Sequence, residues 1–346
     1  MNFYDIIGDL NINQENRMFT VCSGVHAGEK LILSSGEPVW MSDEAGFFAA
    51  RIGDTAKVPD GCASLVDGTR VFGEVLSNEP ELVICGAGHV SMPVITIAGM
   101  MGFRVTAIDD REQFVRNALE HGADSGLCMG FEEALAQIPG SNDTYFVIVT
   151  RGHMSDSECL LSIVKKPYAY IGMIGSHRKI GMVRQTLADA GVPQDVIDSV
   201  HMPIGLRIGA ETPEEIAVSI MAEIIEVKNK NKRGTGIPSD LMAALTAEGR
   251  GPSVLATIIS KHGSSPRAAG TRMLVESGGV ITGTIGGGCA EAAVISYADE
   301  VLRELAGKEK HEAVSPVVLD VDMTGKDVAE SGMICGGVIE VLLEVV

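Results

Sequence analysis

The chain reads as an α/β protein: a Rossmann-like, doubly wound parallel sheet flanked by glycine-rich α+β segments. Three observations carry that reading. Short apolar runs alternate with helical patterns from residue 81 to about 228. The first run ends in the glycine turn Gly86-Ala87-Gly88, and an acid, Asp109, closes the second run.

Taken in order, Leu82-Val83-Ile84-Cys85 is a continuous apolar run of the kind that a strand buried on both faces needs. A helical stretch follows the glycine turn through Met101, and Phe103 to Ile108 is the second strand. Further strands are expected at Gly126 to Cys128, Tyr145 to Thr150 and Ala169 to Ile174. Helical patterns separate them at Arg111 to His121, Phe131 to Gln137 and Ser155 to Lys165, and such alternation implies right-handed crossovers. Thr212-Pro213-Glu214-Glu215 offers a capping hydroxyl, a first-turn proline and two acids facing the helix dipole, so a helix runs from there to about Lys228.

Residues 229–239 open on a polar, basic, glycine-containing run and are read as a linker. Residues 240–346 then form a glycine-rich α+β segment: a strand from Val254 to Ser260, a hairpin from Met273 to Thr284, a helix from Ala290 to Leu305, and closing strands at Val317 to Val321 and Val338 to Val346. Residues 1–80 are β-rich. Phe19 to Val39 lines up by eye with Ala256 to Val280, either as a degenerate copy of the last segment or as an unrelated β-rich stretch. No counterpart of Gly286-Gly287-Gly288-Cys289 stands in it.

The net charge of −19 repels phosphate backbones and argues against a nucleic-acid partner, though local basic groups can still hold a small anion. No apolar stretch runs uninterrupted for the roughly 18 residues of a membrane span, and the N-terminus lacks a basic and apolar leader pattern. A soluble, cytoplasmic protein is expected. The seven cysteines form no C-x-x-C pair, which argues against a disulfide framework or a zinc ribbon. Cys22, Cys62, Cys85, Cys128 and Cys159 are read as core thiols.

In a dinucleotide fold the first glycine permits the tight turn, and the second lets the backbone approach a pyrophosphate at the helix N-terminus. Here Gly86 and Gly88 take those places, Ser91 stands at the third glycine position, and Asp109 stands at that of the ribose-binding acid. A Rossmann-shaped scaffold without a nucleotide remains the alternative. His89, within the turn, is a ligand contact or a packing side chain. Ser176, Arg178 and Lys179 follow another strand end and either cradle an anion or form a solvated helix start.

The last segment carries the less common chemistry. His262 to Gly270 is a polar turn with one fixed cation, Arg267. Gly283 to Glu291 puts Cys289 at the junction of the loop Gly286-Gly287-Gly288 with a helix, where the dipole favours a thiolate. Ser331 to Gly337 places Cys335 beside Gly336 and Gly337, which leave room for a bulky ligand.

With these residues the sequence resembles the xanthine dehydrogenase accessory proteins of the XdhC/CoxI type. The resemblance rests on Gly263-Ser264-Ser265-Pro266-Arg267, Gly286 to Cys289 and Cys335-Gly336-Gly337. In the Rossmann part it rests on Cys85 to Val90, Asp109-Asp110-Arg111, Tyr170 to Ser176, Pro203-Ile204-Gly205-Leu206 and Thr212 to Ala217. The family usually places the cysteine–glycine domain first, whereas here it follows the Rossmann part.

The resemblance implies a maturation factor that binds molybdenum cofactor, protects it during sulfuration and delivers it to an apo molybdenum hydroxylase, with a cysteine desulfurase as a possible sulfur donor. It implies cofactor contact or sulfur protection for Cys289 and Cys335, soft ligands suited to a molybdenum–sulfur group, with Gly287, Gly288 and Gly336 beside them. Arg267 would hold the pterin phosphate. Glu291 would orient or deprotonate Cys289, or simply complement the helix dipole. The alternative from another class is an NAD(P)-dependent oxidoreductase using the Gly86 turn. A homodimer is expected, and no resident metal.

Overall fold

The computed structural model describes residues 3–11, 13–230, 236–263, 267–306, 314–322 and 337–346. The chain groups into two compact units, Glu79–Arg233 and the combination of Met1–Asn78 with Gly234–Val346.

The N-terminal stretch opens with α1 (Phe3–Gly8) and builds an antiparallel sheet from β1 (Asn16–Val21), β2 (Lys30–Ser34), β3 (Glu37–Met41), β4 (Cys62–Val66) and β5 (Thr69–Leu76), in the order β3-β2-β1-β5-β4. Two-residue turns with positive φ at both positions, Ser35-Gly36 and Asp67-Gly68, close the β2–β3 and β4–β5 hairpins. Alternation along the strands sends Phe19, Val21, Leu31, Leu33 and Val71 to one face, beneath Phe47, Phe48 and the short α2 (Ile52–Thr55).

The Glu79–Arg233 unit contains β6 (Glu81–Cys85), α3 (Ser91–Met100), β7 (Arg104–Asp109), α4 (Glu112–Glu120), β8 (Ser125–Cys128), α5 (Phe131–Gln137), β9 (Thr144–Ile148), α6 (His153–Ile163), β10 (Tyr170–Met173), α7 (His177–Asp189), α8 (Gln194–Ser199) and α9 (Pro213–Lys230). Its five parallel strands run in the order β10-β9-β6-β7-β8, the doubly wound α/β architecture expected. The expected strands and helices fall within about two residues of the observed ones. Both faces are covered: Leu82, Ile84, Tyr145 and Val147 pack toward α3 and α9, and Val83, Cys85, Phe146 and Ile148 toward α5, α6 and α7. The chain turns back between β6 and β9, so the crevice at the switch point opens at the carboxyl ends of those two strands.

The rest of the first unit contains α10 (Ser239–Thr246), β11 (Ser253–Gly263), β12 (Arg272–Glu276), β13 (Ile281–Gly283), α11 (Gly288–Ala306), β14 (Val317–Asp322) and β15 (Gly337–Val345). These strands form a second antiparallel sheet in the order β13-β12-β11-β15-β14. One face carries Val254, Ala256, Ile258, Met273 and Val341, buried under Val294, Ala298 and Leu302 of α11. Among the described residues no helix is long and apolar enough to cross a membrane.

Candidate functional site

In the Rossmann unit the glycine turn is sterically determined. Gly86 has φ +102°, and a Cβ there would lie 2.7 Å from the Val149 carbonyl oxygen. Gly88 has no atom within 4 Å of its Cβ position, so its backbone is open to a ligand. Ser91 is buried and its hydroxyl donates to the Gly86 carbonyl, closing the turn where a third glycine would stand. Gly86→Ala is expected to cost at least about 1–2 kcal/mol from backbone conformation alone, read as a lowered melting temperature.

Asp109 corrects the sequence reading. It is 1% exposed, and its carboxylate accepts the Ala87 amide at 2.9 Å and three donors of Arg111: the amide at 3.1 Å, Nε at 2.8 Å and Nη2 at 2.9 Å. Burial pushes its carboxyl up, but the hydrogen bonds from Arg111 and Ala87 outweigh it and hold it below the ordinary range. Asp109 therefore braces the turn from within, with both carboxylate oxygens engaged by the protein itself. Asp110 is the exposed acid at this strand end, paired with Arg151 of the β9 loop at 3.7 Å. His89 is exposed at the turn.

At the end of β10, Ser176 caps α7 by accepting the Lys179 amide at 3.4 Å, and Arg178 is exposed. The cation turned inward is Lys179, ion-paired with fully buried Asp156, which also accepts the Thr150 hydroxyl at 2.6 Å. Sequence reasoning missed Asp156, because an acid in a first helical turn ordinarily reads as a dipole complement. The Pro203 to Leu206 motif is structural: Glu223 accepts Tyr170 Oη at 2.5 Å and the Gly205 amide at 2.9 Å, and lies 3.1 Å from His201 Nδ1.

In the other unit, strand polarity sets the surroundings of the Gly286-Gly287-Gly288-Cys289 loop. Gly263 pairs with Gly337, and His262 and Asp322 both pair with Val338, so β11, β13 and β14 end, and β12 and β15 begin, at one end of the sheet. Gly286, Gly287 and Gly288 have φ of +119°, +78° and +62°, a left-handed run that side chains would strain. No atom lies within 4 Å of a Cβ at Gly287. Cys289 follows as the second residue of α11, half-buried at the edge of the core. Arg267 is exposed. Cys335 and Gly336, with Ser264, Ser265 and Pro266, lie outside the described residues.

Glu291 also takes a different role from the one expected. Its Oε1 accepts Thr284 Oγ1 at 2.5 Å and the amides of Ile285 at 3.2 Å and Gly287 at 3.0 Å. Burial raises its carboxyl, and the bonds from Thr284 and the loop amides overcome this to leave it below the usual range. A carboxylate so engaged is a poor base toward Cys289; it shapes the loop that presents the thiol.

The core-thiol reading holds for Cys22, Cys85 and Cys159, and fails for Cys62 and Cys128, which are exposed at β4 and at the end of β8. Burial pushes the Cys22 thiol up to about 12 and raises that of Cys159, already lifted by hydrogen bonding with Cys85. Brief iodoacetamide treatment of folded protein is expected to label Cys62, Cys128 and Cys289 and to spare Cys22, Cys85 and Cys159, as read by peptide mass spectrometry.

Comparison with known families matches residues 82–224 to the XdhC Rossmann domain and residues 246–311 to the XdhC and CoxI family. An uncharacterized Escherichia coli protein, YqeB, is 33% identical over 47% of this chain and 30% of its own length. A probable xanthine dehydrogenase subunit of Bacillus subtilis is 29% identical over 47% of each chain. The chain thus spans about a third to a half of the length of these curated relatives. A solved structure titled as a xanthine dehydrogenase from Bacillus halodurans shares the fold at TM-score 0.50 and 23% identity, over 67% of this chain and 64% of its own.

Proposed function

Because the chain belongs to the XdhC and CoxI family, we propose that it is a maturation factor that binds molybdenum cofactor, assists its sulfuration and delivers it to an apo molybdenum hydroxylase. The observation that carries this reading is the loop before α11. Three left-handed glycines, open at Gly287 and braced by Glu291, lead into a half-exposed thiol at the start of a 19-residue helix.

The residues fit such a cargo. Cys289 is a soft donor for a molybdenum–sulfur group, and the helix N-terminus favours an anionic phosphate. Arg267, with Cys335 and Gly336, would complete the contact, as the family resemblance implies. The bound cofactor supplies the redox-active metal centre that the client uses. This chain's own residues would hold it. A cysteine desulfurase would supply the sulfur, and the cytoplasm is the expected setting.

A second reading rests on the glycine turn. Gly88 lies open beside α3, and an NAD(P) pyrophosphate would suit that end, which would make the chain an oxidoreductase. Transfer separates the two. Protein loaded with molybdenum cofactor is mixed with an apo molybdenum hydroxylase, and activation is followed for wild type and Cys289→Ala. Activation by wild type and its loss in the variant are expected. Equal activation by both would overturn the role of the thiol. Tight NAD(P)H binding without any activation would favour the oxidoreductase.

A further inference from the structure

The two antiparallel sheets of the Met1–Asn78 and Gly234–Val346 unit have the same strand order, with a helix between the third and fourth strands of each. Their registers coincide apart from one shift in each, at Ile32–Leu33 in the first sheet and at Ile258–Ser260 in the second. Thr20 pairs with Lys30 and Phe72, as Thr257 pairs with Arg272 and Leu342; Met18 pairs with Glu74, as Leu255 pairs with Glu344. Lys30 therefore corresponds to Arg272, Glu74 to Glu344, Phe72 to Leu342 and Arg70 to Glu340.

The contacts between the sheets obey the same correspondence. Lys30 of the first sheet binds Glu344 of the second at 2.7 Å, and Arg272 of the second binds Glu74 of the first. Arg70 and Glu340, which occupy one another's place, bind each other. Between the sheets Phe72 meets Leu342 in one buried cluster with Cys22 and Ile259, another corresponding pair. A contact from i to j that is matched by one from j to i, with self-paired positions at the centre, is the pattern of an isologous two-fold interface.

We propose that Met1–Asn78 is a second copy of the C-terminal domain that serves as its built-in partner, so that one chain is a two-fold dimer whose C-terminal copy carries the Cys289 loop. The N-terminal copy has been plugged at the corresponding place. Phe47 and Phe48 are buried under its sheet, the Phe47 amide donates to Glu29 Oε2 at 2.7 Å, and a Cβ on Gly46 would collide with Glu29. The inner face of the C-terminal copy, which would otherwise pair with a second chain, is closed from within. This inference is independent of which cofactor the thiol loop takes.

Charge reversal tests it. Lys30→Glu and Glu344→Lys are each expected to lower the melting temperature by about 10 °C, and the double variant on one chain to recover most of that loss. Equimolar mixing of the two single variants is expected to give no recovery, and light scattering of wild-type protein to give the 36.4 kDa monomer mass. Recovery on mixing, or a wild-type dimer that dissociates on Arg70→Glu, would place these pairs between chains and overturn the proposal.

Discussion

Arg272→Ala is expected to destabilise the unit that carries the thiol loop by about 3–5 kcal/mol, the loss typical of breaking one side of a buried ion pair. The Arg272 side chain is 3% exposed and its partner, Glu74, 8%. Arg272 also donates to the Gly270 carbonyl at 3.0 Å, so its removal strands a carbonyl as well as a carboxylate. Burial raises the Glu74 carboxyl, and Arg272 is the main influence pulling it back. An acid whose folded pKa lies above its unfolded value binds more protons in the folded state, and stability then falls as pH rises through that interval. The Arg272→Ala defect should accordingly be larger at pH 8 than at pH 5. Denaturant unfolding at the two pH values checks both the size and the sign. A double Arg272→Met, Glu74→Met variant should be much milder, since apolar replacement of a buried pair is often close to neutral.

Glu291→Ala is expected to weaken molybdenum-cofactor binding by at least about tenfold while leaving the Cys289 thiol in place. Its carboxylate holds three donors of the loop, and hydrogen bonds to a charged group contribute about 1.5–3 kcal/mol each. Without it the left-handed glycines have no brace, and the ordering cost moves into the binding step. The pH dependence follows from its lowered carboxyl: the bracing is present above the unfolded carboxylate value near 4.5 and is lost as pH falls through the folded value below it. Binding measured downward from pH 7 should therefore keep its Glu291 component past the free carboxylate value near 4.5 and lose it only at lower pH, and the variant should lack that component.

Much of the fold was legible in the sequence because buried parallel strands are continuous apolar runs, as at Leu82 to Cys85, and because Gly86 and Gly88 punctuate the first of them. The start of α9 was equally plain: Thr212 and Glu215 exchange side-chain and backbone bonds as a capping pair. The bracing role of Asp109 is not legible in the sequence, for a physical reason. An acid that braces the glycine turn and an acid that faces a ribose stand at the same place in the sequence, and only the reach of Arg111 distinguishes them. Glu291 was ambiguous in the same way, since a loop brace and a base both want an acid three residues into α11. The exposure of Cys62 and Cys128 is hidden in the sequence, because it depends on which face of a short strand each cysteine meets. The reciprocal ion pairs lay beyond sequence reading altogether, for Lys30 and Glu344 are 314 positions apart.

We propose the Cys289 loop as the place where cofactor is held. Equilibrium binding of molybdenum cofactor to wild-type protein, to Cys289→Ala and to a Gly88→Ala control tests it most directly, with NAD(H) and NADP(H) titrated in parallel. Binding by wild type and by the Gly88 control is expected, and its loss in Cys289→Ala. Undiminished binding by Cys289→Ala, or binding abolished only by the change at Gly88, would contradict it.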